Sequence, residues 1–545
     1  MTPLPLLAFG PYDWAVLGLY FIVMFAIGIY HYRQDEGAEE YFLAKRKIPT
    51  WALAISIVGA SLSAATYVGA PDVSYGGNLT YLILNIGGFL GVFIVGFLFV
   101  PTLYRAGTVT IYGFLDQRFG ESARVAVACT FLFGRFLASG VRLFFAAIPL
   151  VLLMWNMKGG EPTDHTFRLV LAVVLVGVIG TIYTMLGGIK AVIWTDIAQF
   201  AIMIGAVLLS IYLLLTKIPL PITEIIHVLG TPAPETGHSK LQLVDLSTDP
   251  ARPFTLWAAM FGSVFMAVAS MGVDQDMAQR FLIAKTPTRG ALSVIASQFI
   301  SIATVSLFMI IGLLLYIYYS RPDIMGAAAP AYTPGKNSAT YPQFLLWELP
   351  PILSGLAIVG LFAVAQGSMD SAINAMASSL IADVYYPLRK AMGKPVDSKT
   401  DAKAPKLAVL AIGVVMSLFA IGCVFIYDPK SKTFLDFALG VMTFAFSGML
   451  AVFVTGLFTK RGNTVSVIAA LVTGATVIAL LQDGTLAWWS TKLLHAPTPW
   501  KLAWPWWMPI ASSISFAVCC LGSPTRRPVA REIPVASVVS SGSGT

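Results

Sequence analysis

Long apolar runs recur along the whole chain, and each one is bounded by charged residues, proline or glycine. A helix needs about 20 apolar residues to cross the hydrocarbon core of a bilayer, and about 13 runs approach or exceed that length. Only 11% of the residues are charged, whereas soluble domains carry about 25%. This pattern predicts an all-α integral membrane protein and excludes an ordinary soluble enzyme or a disordered chain. The runs lie at 12–31, 49–70, 78–101, 123–157, 167–187, 191–216, 254–277, 291–319, 345–386, 405–427, 433–459, 463–481 and 505–522.

The rest of the composition excludes several other classes of protein. The four cysteines lie in apolar runs and form neither a disulfide framework nor a metal-binding pattern. The net charge of +8 comes from basic residues in loops rather than from a stripe that would bind nucleic acid. The sequence contains no P-loop motif and no Cys–His or Ser–His arrangement. We therefore predict neither an ATP-driven pump nor an enzyme, and no catalytic residue.

Basic residues in one loop predict the orientation of the chain in the membrane. The segment 389–406 holds 6 Lys and Arg residues, and the positive-inside rule places such a loop in the cytoplasm. Alternating the spans from this loop puts the N-terminus outside and the C-terminus in the cytoplasm. The inside segments then hold about twice as many Lys and Arg residues as the outside segments. We predict a multi-pass protein of the plasma (inner) membrane.

Four charged residues lie away from the ends of the predicted spans. Arg135 and Arg142 are seven residues apart on one face of the fourth span. Asp196 is the only charged residue in the sixth span, and Asp370 lies in the ninth. A charge at the middle of a bilayer costs about 2.5–3.5 kcal/mol even on lenient insertion scales. Each of these residues is therefore a candidate functional residue.

The neighbours of the two aspartates suit a small cation. Asp196 lies beside Thr195 and Gln199, and Asp370 lies within 367–374, which also contains two serines and an asparagine. Hydroxyl and carboxylate oxygens are hard ligands, which bind a small cation better than a soft metal. In the structural alternative, Asp196 and Asp370 only neutralise Arg135 and Arg142 in buried pairs.

The second span has an unusual composition. Residues 59–66 are all small or hydroxylated except for one leucine, and Gly69 and Pro71 follow. Such a segment predicts a broken helix, which is tolerated at membrane depth where the break lines a cavity. Close packing of helices through small residues is the alternative explanation. At the cytoplasmic end of the seventh span, Asp274, Asp276 and Arg280 predict an interfacial network that holds helix ends together.

Four motifs, in this order along the chain, resemble those of a known family. Residues 41–44 read YFLA, similar to the family's YFLAG segment with lysine in place of the glycine. Residues 187–199 match GGxxAV followed by TDxxQ, and residues 274–285 match DQxxxQRxLAAK. Residues 368–385 resemble the pattern S-T-x-S-S-x-x-N followed by D-[LIV]-Y. The chain therefore resembles the sodium:solute symporters, which include bacterial sugar, proline and sialic acid carriers.

This resemblance implies a LeuT-like fold, an inverted five-plus-five helix repeat in which the first and sixth core helices are broken. The first core helix then lies at 49–70 and its counterpart at 254–277. The implied organisation is an N-terminal extra helix and first cytoplasmic loop at 1–48, a first repeat at 49–217, an extracellular loop at 218–253, a second repeat at 254–460, two C-terminal helices at 461–523 and a disordered cytoplasmic tail at 524–545.

The resemblance also implies two sodium sites. Carried over by position, the first sodium site takes carbonyl oxygens from Gly59, Leu62 and Val364 and hydroxyls from residues 367 and 368. In this chain Gly367 stands where relatives have serine, so Ser368 is the only side-chain ligand carried over. A second sodium site, as in sialic acid carriers, maps onto Asp196, Asp370 and Ser371. Because Asp370 replaces a small or hydroxylated residue, we expect its carboxylate to compensate for the missing serine.

The solute contacts are carried over from the same resemblance. Ser61, Ser63 and Thr66 match the hydroxyl positions that hold a carboxylate in sialic acid carriers. Arg142 or Arg135 would bind an anionic solute, because a guanidinium holds a carboxylate through two parallel hydrogen bonds. The full set of predicted solute-binding residues is Ser61, Ser63, Thr66, Tyr81, Asn85, Arg142 and Arg135.

We therefore predict a sodium-coupled secondary active symporter that imports a small polar organic solute, such as a carboxylate or sugar acid, by alternating access. One or two sodium ions are the expected coupling ions, and a monomer in the lipid bilayer is expected to suffice. Two alternatives remain at this point: a proton-coupled symporter of the same fold that uses Asp196 or Asp370 as proton carrier, and a transporter-like solute sensor.

Overall fold

The computed structural model describes residues 10–32, 38–154, 166–235, 237–330, 340–350, 352–394, 403–426 and 434–523. These residues form helices, and no named strand occurs among them. Three short segments are π-helical: Val95–Phe99, Ala258–Ser263 and Leu380–Tyr385. The predicted tail at 524–545 lies outside the described residues. The α-helices are α1 (Pro11–Tyr32), α2 (Ala38–Leu43), α3 (Thr50–Ser61), α4 (Ala64–Gly76), α5 (Leu84–Ile94), α6 (Val100–Arg105), α7 (Tyr112–Phe119), α8 (Glu121–Met154), α9 (Thr166–Lys217), α10 (Ile222–Gly230), α11 (Val264–Gly272), α12 (Gln275–Leu282), α13 (Pro287–Ser320), α14 (Pro322–Met325), α15 (Thr340–Trp347), α16 (Leu353–Ser379), α17 (Tyr386–Ala391), α18 (Lys403–Ile426), α19 (Phe434–Phe458), α20 (Thr464–Leu481), α21 (Asp483–Lys492) and α22 (Trp507–Cys520).

The helices confirm the all-α membrane class. In the described part of the chain, 8 helices are long and apolar enough to cross a membrane, and two bent helix pairs bring the number to 10 if each pair is one span. The total of 13 spans stays a prediction. One predicted span, 345–386, is divided between α15 and α16. Pro350 lies between the two helices, and proline cannot supply the N–H that a continuous helix requires.

Both predicted helix breaks are present. The axes of α3 and α4 differ by 67°, and the axes of the helices before and after Val273 differ by 59°. At the first break, Leu62 and Ser63 are extended, and the carbonyl of Ser63 accepts from the backbone N–H of Thr66 and Tyr67. The break thus exposes backbone groups that a continuous helix would use internally.

A third change of direction lies at Gly188, inside α9. Its φ of +56° is in the left-handed region, which glycine adopts without strain. A Cβ at this position would lie 2.9 Å from the backbone oxygen of Tyr41. The Tyr41 hydroxyl in turn donates to the carbonyl of Thr184 at 3.1 Å. The YFLA and GGxxAV motifs therefore meet here, and α9 consists of a first half, 166–187, and a second half, 189–217.

Helix α16 lies at the centre of the bundle. It is buried along most of its length and packs against α1, α3, α8, α9 and α18. It carries Val364, Gly367, Ser368, Asp370 and Ser371. The fold therefore places most of the predicted cation ligands on one buried helix, opposite the break between α3 and α4.

The N-terminus of α16 is capped by Asp13 of α1. One carboxylate oxygen of Asp13 accepts from the backbone N–H of Ile352, the backbone N–H of Gly355 and the hydroxyl of Ser354, each at 2.8 Å. The other oxygen accepts from the N–H of Gly10 at 2.8 Å. Four donors are thus satisfied by one buried side chain, which also carries a favourable charge for a helix N-terminus.

Replacement of Asp13 by alanine is expected to destabilise the protein by about 2 kcal/mol, because it leaves several buried donors without an acceptor. The thermal midpoint of the purified protein in detergent measures this effect. Asp13→Asn is the matched control, since it keeps one acceptor oxygen and should lose less. An unchanged midpoint for the alanine variant would show that the cap is dispensable.

The loop between α9 and α11 packs on the ends of α4 and α13. The ammonium group of Lys240 donates to the carbonyl of Tyr75 at 2.8 Å and lies 4.1 Å from the ring centroid of Tyr316. Burial lowers the pKa of Lys240, and the charge of Glu235 opposes this shift. The loop is therefore anchored to the second half of the broken first core helix.

Candidate cation and solute site

A small cavity lies where α3, the second half of α9 and α16 meet. Its volume is about 10 Å³, enough for one sphere of about the size of a water molecule. It is lined by Gly59, Leu62, Gln199, Phe200, Met203, Ala363 and Val364. Gly59, Leu62 and Val364 are the three residues expected to supply carbonyl oxygens to the first sodium site. The structure brings these three together.

Three oxygen atoms, two from α9 and one from α3, also converge beside Gly367 of α16. A Cβ built on this glycine would lie 2.8 Å from Oε1 of Gln199, 3.4 Å from Oδ1 of Asp196 and 3.5 Å from the carbonyl oxygen of Gly59. The neighbouring Ser368 hydroxyl donates to the carbonyl of Ala365 at 3.1 Å. Its lone pairs remain available to a cation, since this bond uses only its hydrogen.

Two of these oxygens lack any hydrogen-bond partner among the described residues. They are Oδ1 of Asp196 and Oε1 of Gln199, and both side chains are buried. A buried acceptor without a partner costs about 1–3 kcal/mol, and more when it carries charge. A bound cation would satisfy both atoms at once. The oxygen atoms beside Gly367 therefore suit a small cation, which prefers oxygen ligands.

The second carboxylate oxygen of Asp196 has a different set of partners. Oδ2 accepts from the Ser56 hydroxyl at 2.5 Å and from Nη2 of Arg280 at 2.9 Å. Asp196 therefore has one oxygen beside Gly367 and binds a buried arginine with the other.

Arg280 joins Asp196 to a larger network, which we call the buried charge cluster: Asp196, Arg280, Asp276, Arg135 and Asp274. Arg280 donates to Asp276 at 2.8 Å and also contacts the Ser371 hydroxyl. Arg135 donates to Asp274 at 2.6 Å and also pairs with Asp276. All five side chains are almost fully buried. The cluster ties α8, α9 and α12 together, with Ser56 of α3 and Ser371 of α16 bound to it.

This network corrects two expectations about pairing. The alternative in which Asp196 and Asp370 neutralise Arg135 and Arg142 is wrong in its partners, since Asp196 pairs with Arg280 and Arg135 pairs with Asp274 and Asp276. The expected interfacial network of Asp274, Asp276 and Arg280 is buried and reaches the candidate cation site. The physical reason is the 59° bend before α12, which turns these side chains inward between neighbouring helices.

Asp370 of α16 faces the first half of α9. Neither of its carboxylate oxygens has a hydrogen-bond partner in the described parts of the chain. One of them lies 3.4 Å from the position that a Cβ on Gly180, in the first half of α9, would occupy. Of the three residues expected at the second sodium site, Asp196 and Ser371 are linked through Arg280. No hydrogen bond links Asp370 to either of them.

The structure distinguishes between the two arginines that were predicted to bind the solute. Arg135 is 1% exposed and its guanidinium is taken up by two aspartates, so the expectation that it contacts the solute is not supported. Arg142, two turns further along α8, is half-buried and interacts electrostatically with Arg135, Asp274 and Asp276. It therefore stays the candidate arginine.

The other solute candidates lie near the first break and on α5. The Ser61 hydroxyl donates to the carbonyl of Val58 at 3.0 Å, while Ser63 and Thr66 follow directly after the break. The amide of Asn85 accepts from Gln298 of α13 at 3.2 Å. Tyr81 packs edge-on against Phe254, with ring centroids 5.4 Å apart. Gln298 was not predicted from the sequence.

Other residues of the site were also missed in the sequence. Ser56 holds both Asp196 and Arg280, and its signal was its spacing of three residues from Gly59 on the same helix face. Tyr20 and Tyr183 accept the amide hydrogens of Gln199 at 3.1 Å and 3.4 Å. Tyrosines in apolar runs give no local signal, because most of them only pack.

The donor types limit the kind of ion. Among the described residues, no group of three or more His, Cys, Asp or Glu side chains is placed to hold a metal ion. The candidate site offers one carboxylate, one amide, one hydroxyl and backbone carbonyls instead. Such a set suits a weakly bound alkali cation rather than a transition metal. A larger cavity of about 670 Å³ lies elsewhere, beside Thr108, Arg124 and Lys390, and contains none of the predicted site residues.

Comparisons with known proteins agree with this geometry. A sequence model of the sodium:solute symporter family matches residues 41–474. The sodium/sialic acid symporter SiaT of Proteus mirabilis is 26% identical over 487 residues, which are 87% of this chain and 89% of that protein. The sodium-dependent multivitamin transporter of Oryctolagus cuniculus is 28% identical over 488 residues, which are 88% of this chain and 71% of that protein.

A solved structure shows the same fold. It is a Na⁺-coupled sialic acid symporter in a substrate-bound outward-open state, 23% identical, with a TM-score of 0.76 over 94% of this chain and 97% of that chain. The predicted fold class and the predicted family are both confirmed.

Proposed function

The chain belongs to the sodium:solute symporter family, a family of multi-pass membrane transporters rather than enzymes, and on that premise we propose that it imports a small polar organic solute with sodium bound beside Gly367. The observation that carries the sodium position is the pair of buried oxygens, Asp196 Oδ1 and Gln199 Oε1, that lack hydrogen-bond partners among the described residues. Gly59, Leu62, Val364 and Ser368 complete the proposed site.

Asp196 links the proposed sodium site to the buried charge cluster. A cation beside Oδ1 draws the carboxylate toward α16, whereas Arg280 holds Oδ2 from α12. Sodium occupancy and the packing of α12 against α3 and α9 therefore depend on the same side chain. A symporter needs such a link, because the ion must favour one conformation of the helix bundle over another.

The balance of buried charges supports a monovalent cation. Three arginines and four aspartates form the buried charge cluster or lie near it: Arg135, Arg142, Arg280, Asp196, Asp274, Asp276 and Asp370. With all of them ionised, one negative charge remains, and a single sodium ion neutralises it. An anionic solute adds another negative charge, for which a second sodium ion compensates.

We assign the solute to the side of the α3–α4 break that Ser61, Ser63 and Thr66 line. We expect the half-buried guanidinium of Arg142, on α8, and the polar groups of Asn85 and Tyr81 to contribute to the same site. Hydroxyls and one arginine suit a carboxylate or sugar acid. The sodium/sialic acid symporter among the similar proteins agrees with this class.

The energetics of sodium coupling are sufficient for accumulation. A tenfold sodium gradient supplies about 1.4 kcal/mol, and a membrane potential of about 100 mV adds about 2.3 kcal/mol per charge. One sodium ion therefore supports roughly 500-fold accumulation of a neutral solute, and a second ion would square that ratio.

Uptake by proteoliposomes tests the proposed function. The solute is first selected by thermal stabilisation of the purified protein with sugars, sugar acids, amino acids and vitamins, in sodium and in potassium. We expect stabilisation by a carboxylate-bearing solute in sodium only, and uptake that follows an inward sodium gradient. Uptake that persists without sodium and stops with a protonophore would instead support the proton-coupled alternative. Specific binding without any uptake would support a transporter-like sensor.

The role proposed for Asp370 is tested separately. Asp370→Ala should raise the sodium concentration for half-maximal uptake about tenfold or more. It removes the carboxylate of α16, which has no hydrogen-bond partner among the described residues. The sodium concentration for half-maximal uptake measures the change. Asp370→Ser, which restores a hydroxyl as in relatives, should retain more affinity. If the alanine variant keeps the sodium dependence of the natural protein, Asp370 does not compensate for Gly367.

We also propose that the protein lies in the plasma membrane with the N-terminus outside and the C-terminus in the cytoplasm, and that a monomer transports. The basic loop 389–406 supports this orientation. Single cysteines placed near Asp13 and near Lys390, in a background without the natural cysteines, should react with an impermeant thiol reagent from the outside and from the inside respectively.

A further inference from the structure

The side chain missing at Gly367 leaves a space that the chain fills from another helix. A Cβ at Gly367 would lie 2.8 Å from Oε1 of Gln199, which is closer than such atoms approach in folded proteins. A serine at 367 therefore requires the amide oxygen of Gln199, which ends a flexible side chain, to move away. The amide oxygen occupies the place where a hydroxyl would otherwise be.

We propose that Gln199 is a sodium ligand that replaces the hydroxyl missing at Gly367, so that the ion is held by the amide oxygen of Gln199, Oδ1 of Asp196 and the carbonyl of Gly59. This inference rests on the proposed sodium-coupled function and names a ligand from the second half of α9. Both side-chain oxygens are buried, point at the same space and have no other partner within the described residues.

The orientation of the amide follows from its other contacts. Nε2 of Gln199 donates to the hydroxyl of Tyr20 on α1 at 3.1 Å and to the hydroxyl of Tyr183 at 3.4 Å. With its nitrogen held by two tyrosines, the amide presents its oxygen to Gly367. Gln199 also lines the small cavity together with Gly59, Leu62 and Val364. The ligand is thus oriented before the ion binds, which reduces the cost of ordering it.

The proposal predicts a reciprocal exchange between positions 199 and 367. Gln199→Ala removes the ligand and should lower sodium affinity about tenfold or more. In the same background Gly367→Ser should restore most of the affinity. The nearest remaining atoms to its Cβ would then include Asp196 Oδ1 at 3.4 Å and the Gly59 carbonyl oxygen at 3.5 Å, which are ordinary contacts. The double variant should therefore bind sodium more tightly than Gln199→Ala alone.

Sodium binding is measured directly on purified protein, without transport. Equilibrium binding of radioactive sodium gives the affinity, and the thermal midpoint in a sodium series at constant ionic strength, balanced with potassium, gives an independent value. Gln343→Ala is the matched control. Gln343 is also a buried glutamine whose Oε1 has no partner in the described residues, but it lies on α15 outside the cavity. Its removal should leave sodium affinity unchanged within about twofold.

Gln199→Glu keeps the experiment decisive if the alanine variant does not fold. It retains an oxygen at the same place and adds a negative charge, so it should bind sodium at least as tightly as the natural protein and depend more on sodium for stability. Sodium affinity unchanged in Gln199→Ala, or a double variant no better than Gln199→Ala, would overturn the proposal, as would Gln199→Glu without increased sodium dependence. If the natural protein itself shows no sodium-specific binding, the proposed function fails and not only this ligand assignment.

Discussion

Asp196→Asn is expected to reduce sodium affinity about a hundredfold and to abolish sodium-driven uptake at physiological sodium concentrations. The substitution preserves shape but removes the negative charge that lies beside Gly367. The remaining amide oxygen can still accept from Arg280, which donates at 2.9 Å to Oδ2 in the natural protein. The amide nitrogen, a donor, then faces the ion, which also loses its only anionic ligand. Equilibrium sodium binding and uptake in proteoliposomes measure the two effects.

Asp383→Asn separates this role from a general effect of removing a buried acid. Asp383 is also buried and also pairs with an arginine, Arg124, at 2.8 Å, but it lies away from the cavity. The control variant should lose stability and keep its sodium affinity. Should Asp196→Asn bind sodium within about threefold of the natural protein, the proposed site beside Gly367 is in the wrong place.

Arg280→Met is expected to have the largest effect on stability, a loss of about 3–5 kcal/mol. The guanidinium neutralises Asp196 and Asp276 at 2.9 Å and 2.8 Å and also holds Ser56. Its removal leaves the fully buried carboxylate of Asp196 without a cationic partner among the described residues, while Asp276 keeps only Arg135. We expect low expression and a much lower thermal midpoint. The same change unties α12 from α3 and α9, so that any folded protein should transport poorly.

A second substitution tests the cause of this loss. Arg280→Met combined with Asp196→Asn removes the stranded charge and should recover part of the midpoint. Arg280→Lys should lie between the natural protein and the methionine variant, because an ammonium carries the charge but lacks the planar fork that reaches several partners. A midpoint for Arg280→Met close to that of the natural protein would show that the cluster contributes little to stability.

Several features of the site could be predicted from the sequence because they are local. The small residues around Ser61 predicted the break between α3 and α4, and the isolated charge of Asp196 marked the residue that has one oxygen beside Gly367 and the other on Arg280. The motif positions of Gly59, Leu62 and Val364 predicted three residues that line one small cavity. In each case the signal lies within a few residues of the feature.

Other features depended on partners far apart in the chain. Arg135 was expected to face the solute, yet the bend before α12 brings Asp274 and Asp276 to it. Gly367 was expected only to weaken a sodium site, whereas the packing of α9 against α16 places Gln199 Oε1 in the vacant space. Neither outcome has a local signal, because each depends on which faces of separate helices meet.

The membrane class, the apolar helices and the positions of the breaks follow from the amino-acid sequence by itself. Transfer of side chains into lipid and the conformational preferences of small residues are nearly additive along the chain, so they can be summed without knowing the fold. The tertiary structure alone decided which charges pair and which oxygens share a cavity. Electrostatic and coordination energies depend on distances of a few ångströms between atoms 84 or more residues apart, as for Asp196 and Arg280, and only the packed bundle sets those distances.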